Sequence, residues 1–174
     1  MKLYDYFEND ILISSAYFPP VSYLEAIVNS KSVVIEQYEN YRKQTYRNRC
    51  RIYAANGILA LSVPVELATN KKILLKDVRV DYREAWQKQH FKSIESAYRN
   101  SPFYDYLIDD FMPFFTREIP FLLDLNMGIL YAILDMIQLN KELKISSEFE
   151  HQPSNKIDLR NFYSPKKEDF SLTE

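Results

Sequence analysis

The spacing of hydrophobic positions changes several times along this chain, and each change predicts an element. Residues 11–13 begin an apolar run that continues to Phe18 and stops at Pro19-Pro20, which reads as a strand feeding a turn. Val21, Leu24, Ile27 and Val28 then recur at helical spacing, so a short helix is expected. Residues 32–36 (SVVIE) are brief and β-branched, the pattern of a buried strand. Strand, short helix and strand make a βαβ unit, which implies parallel pairing with a right-handed crossover.

Further along, residues 51–55 and 58–65 flank Asn56-Gly57, a hairpin signal, and Pro64 suits a strand end. Residues 69–72 (TNKK) read as a turn and 73–80 (ILLKDVRV) as another strand. Residues 81–100 give the clearest helix. Asp81 and Glu84 fit a variant capping box, and Trp86, His90, Ile94 and Ala97 share one face. Residues 103–115 predict an aromatic-rich helix interrupted by Pro113. Residues 122–139 predict a third, with Asp124 as candidate cap and Leu125, Ile129, Ala132, Ile133, Met136 and Ile137 on its apolar face. Residues 143–149 (LKISSEF) close the pattern as a strand. Helices set between strands place the chain in the α/β class. The expectation is a single domain over residues 1–152, with a mostly parallel sheet, flanking helices and a hairpin. A polar C-terminal loop or tail follows over 153–174.

Composition narrows the function classes. A chain of 174 residues with 47% hydrophobic and 26% charged residues fits one soluble globular domain. A net charge of −2 argues against general nucleic-acid binding. Fourteen tyrosines and eleven phenylalanines beside one tryptophan suggest amphipathic surfaces or a wet cleft. The only glycines are Gly57 and Gly128, which rules out a P-loop, a GxGxxG turn and a GxSxG elbow. Cys50 is alone, so neither an internal disulfide nor a cysteine zinc site can form. His90 and His151 are the only imidazoles, and no metal site is assigned. The start MKLYDYFENDIL lacks the charge pattern of a signal peptide, and no apolar run approaches a membrane span. A cytoplasmic protein is expected.

The candidate chemistry concentrates in residues 36–51 (EQYENYRKQTYRNRCR), where Arg42, Lys43, Arg47, Arg49 and Arg51 alternate with tyrosines and amides. This mixture makes a poor core and a good polar surface, and guanidinium forks grip carboxylate or phosphate in pairs. On an extended segment Arg47, Arg49 and Arg51 share a face and can line the wall of an anion site; the bland alternative is a solvated edge strand. Alternation puts Cys50 opposite, toward the core. Candidate ligand-binding residues are therefore Tyr17, Lys43, Arg47, Asn48, Arg49 and Arg51. His90 is a candidate general base, with a satisfied core histidine as the alternative. Glu36, at a strand end, is a candidate for orienting a ligand amine or hydroxyl. Lys166 and Lys167 can reach phosphate from the tail, although a solvated tail is the favoured explanation.

Three segments, YFPPVSYL, then YRKQTYRNRCRI–NGI–LSVPV, then WQKQHFKSIESAYRNSPFYDY, give the chain a resemblance to the WbqC-like family over about residues 11–160. One departure is that Ser14-Ser15-Ala16 stand ahead of Tyr17-Phe18-Pro19-Pro20, where the family often has Gln-Pro. The resemblance implies a role in bacterial surface-polysaccharide (O-antigen) biosynthesis, with acyl or aminoacyl transfer to an amino sugar. The ligand would be a nucleotide or nucleotide-sugar, with Mg as an optional companion, and a protein partner in glycan assembly is possible. The opening strand, aromatic-Pro turn, helix and strand are also laid out like the HUP nucleotide-binding folds. The His-X-Gly-His of those folds is absent at Phe18-Pro19-Pro20-Val21-Ser22, so the likeness is one of layout. The competing reading is a non-enzymatic binding or scaffold protein with a Tyr/Arg-rich surface.

Overall fold

The computed structural model describes residues 9–66 and 72–165. Strand β1 (Asp10–Ser14) lies inside a four-stranded sheet, between β2 (Ser32–Glu36) and β8 (Ile157–Asp158) with β7 (Leu143–Ile145) beyond β2, and all its pairings are parallel. Ile11, Leu12 and Ile13 are fully buried, as a strand covered on both faces requires. Strand β2 (Ser32–Glu36) pairs with it in register, from Asp10 opposite Ser32 to Ser14 opposite Glu36. Helix α1 (Val21–Asn29) connects the two and begins immediately after Pro20. Its buried residues are Tyr23, Ala26 and Ile27, whereas Val21 and Val28 are exposed. The helix thus presents a face rotated from the one its aliphatic spacing suggests, because Tyr23 is drawn inward and its hydroxyl donates to the Ser14 carbonyl.

Strands β3 (Arg49–Ala54) and β4 (Gly57–Ser62) form the expected antiparallel hairpin. Ala54 faces Gly57, so Ala55 and Asn56 make the turn, and Gly57 takes φ 105°, which an L side chain would resist. Strand β5 (Val65–Glu66) pairs with β6 (Arg79–Val80). Residues 73–80 do not form one strand. A 3-10 turn, Leu75–Asp77, interrupts them, and Leu75, Val78 and Val80 are buried at irregular spacing.

Helices α2 (Trp86–Tyr98), α3 (Tyr104–Thr116) and α4 (Leu122–Met136) follow. The capping box expected at Asp81 and Glu84 does not form. Asp81 accepts from the backbone and side chain of Arg83 instead, and α2 starts five residues later without a side-chain cap. Pro113 sits inside α3 without breaking it. Asp124 lies in the first turn of α4 but does not cap it.

Helix α4 is the central wall of the molecule. Leu123, Met127, Leu130 and Leu134 pack on the sheet with residues of α1, while Leu122, Leu125, Ile129 and Ile133 pack on the hairpin, Trp86 and Tyr17. A helix apolar on two faces must be covered on two faces, so α4 separates two hydrophobic clusters. Gly128 lets α3 approach closely, since a Cβ there would lie 2.7 Å from Cε1 of Phe114.

Strand β7 (Leu143–Ile145) pairs with β2, and β8 (Ile157–Asp158) pairs with β1. Residues 153–165 therefore fold into the sheet rather than trailing from it, and Leu159, Arg160 and Tyr163 are buried. The expected strand at 143–149 ends at Ile145. The turn expected at 69–72 lies largely outside the described residues, as do Lys166 and Lys167. The result is a mixed α/β architecture of a parallel sheet, flanking helices and an antiparallel hairpin.

Candidate functional site

Chain direction fixes where a site can form. The connection leaving β1 runs to β2 on one side, whereas β8 joins β1 on the other. The carboxyl ends of β1 and β8 thus flank the point at which open α/β sheets leave a crevice. Ser14 ends β1, Glu36 ends β2, Ser146 follows β7, and Asp158 ends β8 with Arg160 two residues on. All belong to one hydrogen-bonded network.

Arg47 is the centre of one half of it. Its Nε donates to Glu39 Oε1 at 2.8 Å and its Nη2 to Glu39 Oε2 at 2.5 Å. The same Nη2 donates to the Ser14 hydroxyl at 2.8 Å and to the Arg160 carbonyl at 3.2 Å. Arg160 is the centre of the other half. Its Nε and Nη2 hold both carboxylate oxygens of Asp158, and its Nη1 donates to Glu36 Oε2 at 3.3 Å. Glu36 is fully buried and also accepts from the Ser146 hydroxyl and the Tyr38 backbone. Hydrogen bonds from Arg160 hold the Asp158 carboxyl below its ordinary range. Charge at this depth persists only when paired and fully hydrogen-bonded.

Ser14, Ser15, Arg47, Arg160, Tyr46 and Tyr163 line a small cavity in the crevice of about 10 Å³, room for about one water. Asn126, the one polar residue among the buried positions of α4, braces two of the lining residues. Its amide donates to the Ser15 hydroxyl at 3.1 Å and to the Arg47 carbonyl at 2.7 Å. The Asn126 Oδ1 atom is buried and has no hydrogen-bond partner among the described residues. Buried polar atoms are normally satisfied, so such a group calls for water or a ligand.

The arginine row expected from alternation is not brought together. Asn48 N–H donates to the Thr45 carbonyl and Gln44 has φ 58°, so the chain turns through Arg47 and becomes a strand only at Arg49. Arg47 is 4% exposed and ion-paired; Arg49 is half-buried, its Nε donating to Ser62 at 2.8 Å; Arg51 is exposed opposite Ala60. Lys43 is exposed, as is neighbouring Arg42, whose Nη1 donates to Asn161. Cys50 does face the core, where burial pushes its thiol up to about 12.

His90 and Glu36 do not meet: their hydrogen-bond partners are disjoint. His90 is buried beneath the hairpin, its Nδ1 2.8 Å from the Tyr17 hydroxyl, against Trp86 at 5.1 Å between ring centroids. Burial lowers its pKa to about 4, opposed by a backbone hydrogen bond with Ser62. The ring is therefore neutral at pH 7. Desolvation raises Tyr17 well above the usual phenol range.

Sequence reasoning missed Glu39, Ser14, Ser15, Asn126 and Ser146 as site residues, and took Arg160 for part of a tail. A signal existed for one of them: Asn126 is a lone amide in an apolar helix. Among the described residues, no group of three or more His, Cys, Asp or Glu is placed to hold a metal ion. None of the described helices is long and apolar enough to cross a membrane.

Comparison with known proteins agrees with the segments that converge here. An uncharacterized protein of Mycobacterium tuberculosis is 25% identical over 140 residues, which cover 80% of this chain and 60% of that protein. The chain thus spans less than two thirds of that relative's length. No solved structure matches it significantly. The model of the WbqC-like protein family matches residues 14–164, from the end of β1 through the Tyr-Arg-Asn-Arg turn to the residues after Arg160, and the chain belongs to that family.

Proposed function

We propose that the protein binds a nucleotide-sugar at the carboxyl ends of β1 and β8 and serves bacterial surface-polysaccharide assembly, as an acyl or aminoacyl transferase on an amino sugar. The observation that carries this reading is the convergence of Ser14, Ser15, Arg47 and Arg160 on the crevice of a parallel sheet, with Asn126 bonded to its wall through an amide whose Oδ1 has no partner among the described residues. In this reading Arg47 and Arg160 are committed to Glu39, Glu36 and Asp158 and shape the wall. The phosphates meet Arg49, Arg42 and Lys43 at the rim, which carry no buried counter-charge. Glu39, the Ser15 hydroxyl and Asn126 suit the amine and hydroxyls of an amino sugar. His90, neutral and enclosed, positions Tyr17.

Calorimetric titration with UDP-sugars, dTDP-amino-sugars and ATP–Mg tests it. Arg49→Ala is expected to weaken the preferred nucleotide by about 1.5–3 kcal/mol, the range for hydrogen bonds to charged groups. Equal affinity in wild type and variant would remove Arg49 from the site, and no heat with any nucleotide would end the reading.

A second reading rests on a different observation. Tyr53 and Ile58 pair across the hairpin and leave it an exposed apolar surface on the face that carries Arg51. Tyr and Arg are residues that interfaces favour, so this face supports a scaffold role if nucleotides fail to bind.

A further inference from the structure

The opposite end of α4 carries a separate feature. Lys141 donates from Nζ to the Ser30 carbonyl, just before β2 begins, so the carboxyl end of α4 sits at the amino end of the sheet. Fifteen residues of helix separate this end from the first turn of α4, about 22 Å. Here Tyr131, Leu134, Asp135, Gln138, Leu139 and Asn140 line an open depression of about 590 Å³.

Two details distinguish it from an ordinary helix end. First, Gln138 has φ 55°. The Leu139 N–H donates to the Leu134 carbonyl and the Gln138 N–H to that of Asp135, both at 2.8 Å, so the helix ends in a Schellman motif with Gln138 at its left-handed position. Glycine occupies that position most cheaply, and a long side chain there is strained. Backbone strain retained at a cleft points to a use for the side chain that causes it. Second, the side chains of Asp135, Gln138 and Asn140 have no hydrogen bond or ion pair among the described residues, and Tyr131 is 48% exposed beside Asp135, one helical turn on. The depression therefore offers an aromatic face, a carboxylate and two amides, all uncommitted. Lys141 ties its rim to the end of α1.

We infer that this depression is a carbohydrate-binding site. The C–H face of a pyranose packs on the Tyr131 ring, and its hydroxyls donate to Asp135 and exchange hydrogen bonds with the amides of Gln138 and Asn140. Amides both donate and accept, which matches a hydroxyl's needs better than a charged group does. The site stands independently of the nucleotide reading, because it lies at the other end of the sheet and shares no residue with the crevice.

Saturation-transfer NMR and calorimetry with maltotriose, N,N′-diacetylchitobiose and lactose, without nucleotide present, test the inference. The wild type binds at least one of the three, and Tyr131→Ala raises its Kd at least tenfold without lowering the melting temperature by more than about 2 °C. Gln138→Gly is the sharper variant. Relief of strain raises its melting temperature by about 2 °C while affinity falls at least threefold. A purely structural role for Gln138 cannot give both results. No saturation transfer to any of the three sugars, or unchanged affinity in both variants, overturns the inference. Titrating without nucleotide keeps the outcome separate from that of the nucleotide experiment.

Discussion

The carboxyl end of the parallel sheet and the core beneath the hairpin both bury polar side chains, but only the first buries charge. At the sheet end, buried Glu36 and Glu39 and exposed Asp158 are matched by Arg47 and Arg160, and Ser14 and Ser146 complete the hydrogen bonding. Beneath the hairpin, Tyr17, His90 and Cys50 lie among apolar side chains with no counter-charge, and burial moves each toward its neutral form. The difference follows from what each region must do. An ionic network keeps buried charges paired and hydrogen-bonded at the crevice. A neutral hydrogen bond between Tyr17 and His90 satisfies two polar groups while leaving α2 packed against the hairpin. The two regions should therefore fail in different ways.

Removing one partner from the ionic region is expected to have the largest effect. Arg47→Ala leaves Glu39 buried without its cation and removes one donor each from the Ser14 hydroxyl and the Arg160 carbonyl, which keep only the bond between them, a loss of about 3–5 kcal/mol. Urea unfolding measures it as a lowered midpoint at unchanged slope. Replacing both partners with Arg47→Met and Glu39→Leu should recover much of the loss, because no unpaired charge then remains. A single-variant loss below about 1 kcal/mol would mean that water reaches the pair.

Acid should separate the two regions by pH. The folded pKa of His90, about 4, lies below its ordinary 6.5, so the unfolded chain takes up the proton first as pH falls. This contribution is intact above about 6.5 and is lost progressively between 6.5 and 4, at most about 3 kcal/mol. Asp158 is depressed by Arg160 from its ordinary 3.8, so its contribution persists above 3.8 and disappears only as pH falls below it. Stability measured from pH 7 to 3 should thus decline in two stages. His90→Gln should flatten the upper stage alone; an upper stage of the same size in that variant would place the titrating group elsewhere.

How much of this could be read from the sequence depended on the range of the interaction involved. Strands β1 and β2, helix α1 and the hairpin follow from local apolar spacing and from Asn56-Gly57, and they appear where that spacing puts them. Residues 73–80 did not, because the burial of Leu75, Val78 and Val80 follows contacts with distant elements and not a period of two. The ionic network was illegible for a stronger reason. Arg160 pairs with Glu36 across 124 positions, and no local pattern announces that bond. Its apparent tail is structured because Ile157 and Asp158 add a strand beside β1, a pairing that two residues of sequence cannot advertise. Even the short-range pair of Arg47 and Glu39 was hidden, since it depends on the turn at Gln44 that removes Arg47 from the strand.

The arginines at 47, 49 and 51 give the finest test, because sequence makes them equivalent and burial does not. Arg51 is exposed on β3 opposite Ala60, and its side chain has no hydrogen bond or ion pair among the described residues. Arg51→Ala should change stability by less than about 0.5 kcal/mol, as surface substitutions do. Arg49 makes one neutral-acceptor hydrogen bond, to the Ser62 hydroxyl, from a half-buried position, and its loss should cost about 1 kcal/mol. With the Arg47 loss of several kcal/mol, the three alanine variants form a steep descending series measurable in one set of urea titrations. If the three arginines did share one solvated face, the variants would be alike and each within a few tenths of a kcal/mol. The spread of the series therefore measures how far the turn at residues 44–48 departs from the extended strand that alternation assumes.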